Sequence, residues 1–165
     1  MKINIRLYQK SDSQTIVAIL NYYIANSTAL YDYELRTAEL QQAIFDEKLG
    51  KGFPVIVATI EEKIVGFGYY SEFRFREAYK FTVEHSVYVM PSEHGKGIGK
   101  VILQNLIDLA KSQNLHTMVA VIDSENEGSV AFHELYGFKT VGIIKESGFK
   151  FDRWLHSVIM QLIFE

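Results

Sequence analysis

The residues able to do chemistry in this chain gather in one stretch, Thr82 to Lys111. Gly95, Gly97 and Gly99 alternate with Lys96, Ile98 and Lys100, directly after the turn-forming run Pro91-Ser92-Glu93-His94. A glycine turn that opens a helix presents backbone N–H groups with no intrahelical partner, at the positive end of the helix dipole. Without Cβ atoms in the way, an anion such as phosphate can reach them. Lys96 and Lys100 would add positive charge. The same glycines would also serve an ordinary strand-to-helix turn. The spacing is not GxGxxG, because Lys100 and Val101 follow Gly99, and not a P-loop, because no Ser or Thr follows Lys100. A pyrophosphate site of another kind remains. Just upstream lies Glu84, an acid within a strand-like run, which is either a base in a cleft or a solvent-facing carboxylate paired with Arg74 or Arg76.

Other chemistries find less support. There is no cysteine, which excludes disulfides, a thiol nucleophile and thiolate metal sites. His85, His94, His116, His133 and His156 form no HxH or HxxxH pair, so no metal is expected. Gly128-Ser129 lacks the flanks of a nucleophile elbow, so hydrolase chemistry is not supported.

The run His94-Gly95-Lys96-Gly97-Ile98-Gly99 resembles the Q/R-x-x-G-x-G/A motif of the GNAT acetyltransferases, which grip the pyrophosphate of coenzyme A; His94 stands where the motif has Gln or Arg. Asp123 to Ser129, then His133 and Leu135-Tyr136-Gly137-Phe138, are similar to the family's second coenzyme segment. Asn21-Tyr22-Tyr23-Ile24, Ala78-Tyr79, Thr82 to Val89 and Gly148 to Trp154 resemble the branch that acetylates phosphinothricin, methionine sulfone and related small amino acids. The likeness runs from about Ile3 to Gln161, essentially the whole chain, read as a single domain over 1–165.

The resemblance implies acetyl-CoA as co-substrate, held by His94 to Lys100 and by Asn126, Ser129 and His133. It implies backbone donors near Val87, Tyr88 and Val89 for the thioester carbonyl, Glu84 as the base, and His133 as an acid for the departing thiolate. Histidine can give a proton near neutral pH, but His133 could also be a surface residue that only bonds the cofactor. Asn126 suits a pantetheine amide and equally suits helix entry; Ser129 shares that ambiguity. A free amino acid presents a carboxylate that arginine can grip. Arg74 and Tyr79 lead the acceptor-site candidates, with Tyr31 and Phe75 beside them and Arg76 and Lys150 also weighed. Packing aromatics and solvated charges are the plain alternatives. The expected acceptor is a small amino acid or analogue, attacked directly in a ternary complex. Protein N-termini or a polyamine are the alternatives within that chemistry, and a coenzyme-A-binding regulatory module without turnover is the alternative outside it.

The elements that must position these residues follow from pattern. Thr82 to Met90 is β-branched and aromatic, closed by Pro91, and its period of two puts Glu84, Ser86 and Tyr88 on one face. A helix is expected from Val101, through Ile102, Leu103, Leu106, Ile107, Leu109 and Ala110. Ile3 to Leu7 reads as a strand, and Ser11 to Gln14 as a capping box for a helix that buries Ile16, Val17, Ile19, Leu20, Tyr23 and Ile24. Ala29 to Arg36 is irregular. A second helix runs from after Thr37 to Gly50, which suits the position past its end. Val55 to Ala58 and Ile64 to Tyr70 form a hairpin, with Ser71 to Lys80 a connection. Thr117 to Ile122, Thr140 to Ile144 and Trp154 to Ile163 are strands, and Ser129 to Tyr136 a short helix ended by Gly137. The class is α+β: a mixed sheet with helices on both faces, which the resemblance makes mostly antiparallel.

A chain of 165 residues can bury a real core. A hydrophobic content of 48% with 22% charged residues is that of a soluble globular protein. A net charge of −3 argues against a general nucleic-acid binder. No apolar run reaches membrane-spanning length, and Met1 to Arg6 lacks a signal-peptide core. The expected setting is cytoplasmic, and the expected state a homodimer, with some of the 13% aromatic content at an interface.

Overall fold

The computed structural model describes residues 1–165. In chain order the elements are β1 (Asn4–Leu7), α1 (Ser13–Asn26), α2 (Ala38–Gly50), β2 (Val55–Ile60), β3 (Lys63–Glu72), β4 (Thr82–Val89), α3 (Ile98–Ser112), β5 (Thr117–Asp123), α4 (Glu127–Glu134), β6 (Lys139–Lys150) and β7 (Arg153–Ile163). They build one seven-stranded sheet in the order β1-β2-β3-β4-β5-β7-β6. Every neighbouring pair is antiparallel except β4 and β5. The fold is α+β, as expected.

Alternation along the strands, reset in β3 by a bulge at Val65, divides the core between two faces. Val55 and Val57 of β2, Phe67 of β3 and Tyr88 of β4 pack with Ile16, Ile19 and Leu20 of α1 and Phe45 of α2. Ile56, Ala58, Val65 and Val83 turn the other way, onto Ile98, Ile102, Leu103 and Leu106 of α3. Helix α3 lies so close to β3 that Gly66 and Gly68 leave no room for a side chain. A Cβ on Gly66 would stand 2.8 Å from the Tyr88 carbonyl oxygen, and one on Gly68 2.6 Å from Ile102 Cγ2.

Several boundaries differ from the sequence expectation, each for a local reason. Helix α3 begins at Ile98 rather than Val101, because Gly97 takes a left-handed φ of 79° as N-cap. Ser11 to Gln14 does not form the capping box. Asp12 is the N-cap of α1, and its carboxylate instead accepts the Gln9 amide at 2.8 Å and both guanidinium nitrogens of Arg6 at 2.7 and 2.8 Å. Gly50 is the last residue of α2, and the left-handed turn beyond it falls to Gly52, φ 84°. Strand β3 runs two residues past Tyr70, paired through Glu72 with β4. Strand β6 continues past Ile144 to Lys150, absorbing register shifts at Thr140/Gly142 and Ile144/Gly148 against β7. Helix α4 starts at Glu127 because Asn126 caps it. No helix is long and apolar enough to cross a membrane.

Replacing Gly66 with Ala pushes a methyl group into a backbone oxygen that cannot rotate aside. Gly66→Ala is expected to destabilise by about 1–3 kcal/mol, whereas Gly50→Ala, in open space at a helix end, should be neutral or stabilising by about 0.5 kcal/mol. Urea unfolding midpoints check both.

Candidate active site

The parallel pairing of β4 with β5 lasts for Thr82↔Thr117, Val83↔Met118 and Glu84↔Val119, and then stops. Beyond Glu84, β4 keeps β3 on one side and has no strand on the other. The phase of the β3–β4 ladder follows from two bonds in its register, Phe73 N–H to Thr82 O and Met90 N–H to Val65 O. Even-numbered residues of β4 therefore bond to β3, the His85 amide makes the last bond to β5 in the Glu84↔Val119 pair, and the amides of Val87 and Val89 face the gap. Of the three residues expected to supply backbone donors, Val87 and Val89 present free amides, while Tyr88 N–H is committed to β3.

A cavity of about 710 Å³ fills this gap. Its floor is Val87 to Val89, its far wall Ala120 to Asp123, and its other boundaries the glycine loop and α4. Gly95 and Gly97 both have φ of 79°, and a Cβ on either would meet nothing within 4 Å, so the loop is open to a ligand. Gly97 caps α3, so the first α3 amides, at Ile98, Gly99 and Lys100, stand at the loop as the positive end of the helix. Gly99 packs between Val89 and Phe132. This loop could hold a diphosphate. Lys100 lines the cavity; Lys96 does not, and its ammonium pairs with Glu93 at 2.7 Å. His94 lines it too, with Nε2 2.7 Å from the Tyr23 hydroxyl.

His133 is buried on the same wall, and both of its ring nitrogens are engaged. Nδ1 donates to the Ser129 carbonyl at 2.6 Å, and Nε2 lies 3.0 Å from His85 Nε2. In the neutral pair His85 must donate there, which leaves His85 Nδ1 as the unprotonated nitrogen; that atom is buried without a partner. Burial lowers the pKa of His133, and burial with the neighbouring His133 ring brings His85 down to about 3. Asn126 Oδ1 accepts the Ser129 amide at 3.1 Å, so its carbonyl oxygen serves as the α4 cap. Ser129 Oγ is 3.5 Å from His133 Nδ1. Asp123, buried in the far wall, accepts a bond from the Thr28 hydroxyl through Oδ2, while Oδ1 has no protein partner.

Glu84 sits where the strands part, half-buried and outside the lining of the cavity. Burial raises its carboxyl pKa, and the charges of Arg74 and Lys48 pull it back. Arg74 lies over the Phe73 ring at 5.2 Å, and Tyr79 packs edge-on to that ring at 5.8 Å. Phe75 is 86% exposed. Tyr31 belongs to a different wall, its ring lying over Gly148, where a Cβ would come within 2.4 Å of it. The structure thus places Arg74 near Glu84 and keeps Tyr31, Phe75 and Tyr79 apart from the large cavity. Arg76 lies over Phe75 at 5.3 Å.

The comparisons with known proteins agree with this geometry. A family model described as an acetyltransferase (GNAT) domain matches residues 5–159. The chain belongs to the GNAT acetyltransferases. An L-methionine sulfoximine/L-methionine sulfone acetyltransferase of Pseudomonas aeruginosa is 39% identical over 163 residues, 98% of this chain and 95% of that one. Two solved structures are also similar. A GNAT superfamily phosphinothricin acetyltransferase from Sinorhizobium meliloti in complex with AcCoA has a TM-score of 0.96 at 34% identity, covering 99% of this chain and 89% of that one. A ribosomal-protein-alanine N-acetyltransferase from Brucella melitensis has a TM-score of 0.96 at 35% identity, covering 98% and 99%.

In this GNAT chain Tyr23, His85 and Asp123 also border the cavity, and no local sequence signal marks them as site residues. Tyr23 reads as one more apolar-face residue of an amphipathic helix, and His85 as a strand residue opposite Glu84. Only contacts across 48 or more residues reveal what they touch. Lys150 is an acceptor-site candidate by residue type alone. In the structure it is instead a buried clamp, its ammonium donating to Ser27 O at 2.8 Å and Leu30 O at 2.6 Å, with its pKa lowered by burial. It ties the β6–β7 hairpin to the segment between α1 and α2.

Lys150→Met removes both bonds while retaining an unbranched apolar stem. Amides in residues 29–36 are then expected to exchange with solvent about tenfold faster or more, as each lost bond is worth about 1 kcal/mol. Hydrogen exchange by mass spectrometry checks it, with α3 amides as the unaffected internal standard.

Proposed function

We propose that this chain moves the acetyl group of acetyl-CoA to the amine of a small amino acid or analogue, by direct attack in a ternary complex. The observation that carries the reading is the parting of β4 from β5 beyond Glu84, next to an open glycine loop at a helix N-terminus. The residues present fit acetyl-CoA. Gly95 to Gly99 and the first α3 amides suit a diphosphate, the cavity of about 710 Å³ runs from that loop along Val87 to Val89, and Asp123 Oδ1 is an orphaned acceptor in its wall. When bound, acetyl-CoA supplies an activated acyl carbonyl with a thiolate as its leaving group.

The chain's own residues do the rest. Val87 and Val89 N–H groups, left over from the sheet, would donate to an oxygen gaining negative charge at the gap. Glu84 takes the proton of the acceptor amine, itself or through a water. Burial has raised its affinity for that proton, which suits a base working near neutrality. Arg74 faces the acceptor's carboxylate. In this reading the leaving thiolate takes its proton from solvent rather than from His133, because the buried neutral His85–His133 pair has both shared protons committed to internal bonds. His133 shapes the wall and, with Asn126 and Ser129, borders the extended arm.

The nature of the relatives supports a small amino-acid acceptor, since the Pseudomonas and Sinorhizobium proteins are named for such analogues. The Brucella likeness keeps protein N-termini as the competing acceptor. Thiol release from acetyl-CoA with methionine sulfone, phosphinothricin, a polyamine and an alanine-starting peptide separates them. Faster turnover of the peptide than of either analogue overturns the small-acceptor reading. Saturable coenzyme A binding with no release for any acceptor turns the assignment into a sensor module.

Glu84→Gln is expected to lower kcat about 100-fold or more at neutral pH, with coenzyme A affinity nearly unchanged. The sign on stability is the opposite. A carboxyl whose folded pKa is raised contributes stability below its unfolded pKa and loses it as pH rises through the folded one, so ionised Glu84 is a burden at neutrality. The Gln variant should therefore unfold at the same or a higher temperature. In the parent, kcat/KM should fall as pH drops through a value above the ordinary carboxylate range. Arg74→Gln should move that limb to higher pH, because Arg74 lowers the Glu84 pKa. An unmoved limb removes Glu84 from the base role.

We further propose that the protein works in the cytoplasm, where acetyl-CoA is available, as a homodimer. Supporting the dimer, β6 is a sheet edge exposed almost along its whole length, carrying Val141, Ile143, Ile144 and Phe149, with Trp154 beside it on β7. Light scattering is expected to give twice the 18.9 kDa chain mass, and Ile143→Lys to shift it toward the single-chain value. A parent protein of single-chain mass overturns the dimer.

A further inference from the structure

The carbonyl of Val89 points into the same gap as its amide, so the departure of β5 strips it of a strand partner too. Tyr23 of α1 takes that place. Its hydroxyl is 2.5 Å from Val89 O and 2.7 Å from His94 Nε2, and His94 Nε2 is itself 3.3 Å from Val89 O. A carbonyl can only accept, so the single hydroxyl proton goes to Val89, and His94 Nε2–H donates to the tyrosine oxygen. The direction of the chain is thereby set: His94 to Tyr23 to Val89. The Tyr23 ring is held against Tyr88 at 5.8 Å, edge-on to Tyr22 at 5.6 Å, and nearly parallel to His94 at 6.3 Å. Burial pushes the phenol pKa up to about 12, so the hydroxyl remains a donor at working pH. One oxygen atom thus joins three parts of the site: the first residue of the glycine loop segment, the end of β4 and helix α1.

We propose that Tyr23 is a positioning residue for acyl transfer, tying the His94 end of the diphosphate loop to the Val89 peptide so that the two ends of the cofactor site keep a set spacing. The inference rests on the acetyltransferase reading above. It accounts for His94 at the head of the loop: the imidazole is turned inward to Tyr23. It also accounts for the stability of the strand gap, because the Val89 carbonyl no longer needs β5.

The test is a double-mutant cycle on the full chain: parent, Tyr23→Phe, His94→Ala and the double variant. For each, kcat and KM for acetyl-CoA, coenzyme A affinity by calorimetry and the thermal midpoint are measured. Tyr23→Phe keeps the ring and is expected to lower kcat about tenfold, the effect of one lost hydrogen bond to a group that must stay aligned. Its coenzyme A affinity should change less than about threefold, because the loop amides are intact. His94→Ala also lowers kcat, and the double variant is no slower than Tyr23→Phe alone, since both cut one chain of bonds. Parent kcat in Tyr23→Phe overturns the proposal, with or without a lower thermal midpoint, as do losses that multiply in the double variant. Should Tyr23→Phe not fold, His94→Ala on its exposed loop decides, and parent kcat there overturns the proposal. A parent protein that binds acetyl-CoA but transfers acetyl to no acceptor overturns the acetyltransferase reading, and this inference with it.

Discussion

Three residue pairs join β4 to β5, and the bonds that would extend them are missing. Each strand is otherwise fully engaged: β4 runs with β3 from Glu72↔Val83 to Gly66↔Val89, and β5 pairs with β7 along all seven of its residues. The sheet is therefore two well-paired halves that separate past Glu84. Unpaired backbone groups in a protein interior cost about 1–3 kcal/mol each, and the protein itself offsets only part of that cost here. The Val89 carbonyl finds Tyr23 and His94. The Val87 and Val89 amides find nothing in the protein and are left to face the cavity.

The charges around the gap are sorted by face. On the cavity side stand the α3 N-terminus and Lys100, and the two buried histidines there are kept neutral by desolvation. On the other side stands Glu84, its proton affinity raised by burial and moderated by Arg74 and Lys48. An anionic cofactor and the Glu84 carboxylate can stand near one another because the sheet runs between them. The arrangement has a thermodynamic consequence: the half-buried Glu84 and the orphaned His85 Nδ1 and Asp123 Oδ1 all weaken the fold slightly, and all of them border the chemistry.

The wall beside the gap is assembled from distant parts of the chain. Asn21 holds the Arg36 peptide by both its amide and its carbonyl, at 2.8 and 3.0 Å. Lys150 holds Ser27 and Leu30, and the Tyr33 hydroxyl donates to the Phe149 carbonyl. An irregular segment with no ladder of its own is thus kept in place by side chains of α1 and of the β6–β7 hairpin.

Read alone, the sequence determined whatever depends on local pattern. The apolar periodicity of Ile102 to Ala110, the β-branched run before Pro91 and the glycine spacing from Gly95 to Gly99 located the strand, turn and helix around the glycine loop. Several matching segments in order were sufficient to identify the family. Boundaries failed where a long-range partner overrode a local signal: Asp12 was drawn to Arg6 rather than to a capping box, and β6 was prolonged by β7. Only the tertiary structure decided which amides of β4 are free, because that depends on where β5 leaves it. The same holds for what Tyr23, His85, His133 and Lys150 touch. A side chain's type is local information, but the Val89 carbonyl that Tyr23 bonds, the His133 ring that His85 bonds and the Ser27 carbonyl that Lys150 bonds lie 48 to 123 residues away, and composition and spacing carry no record of that distance.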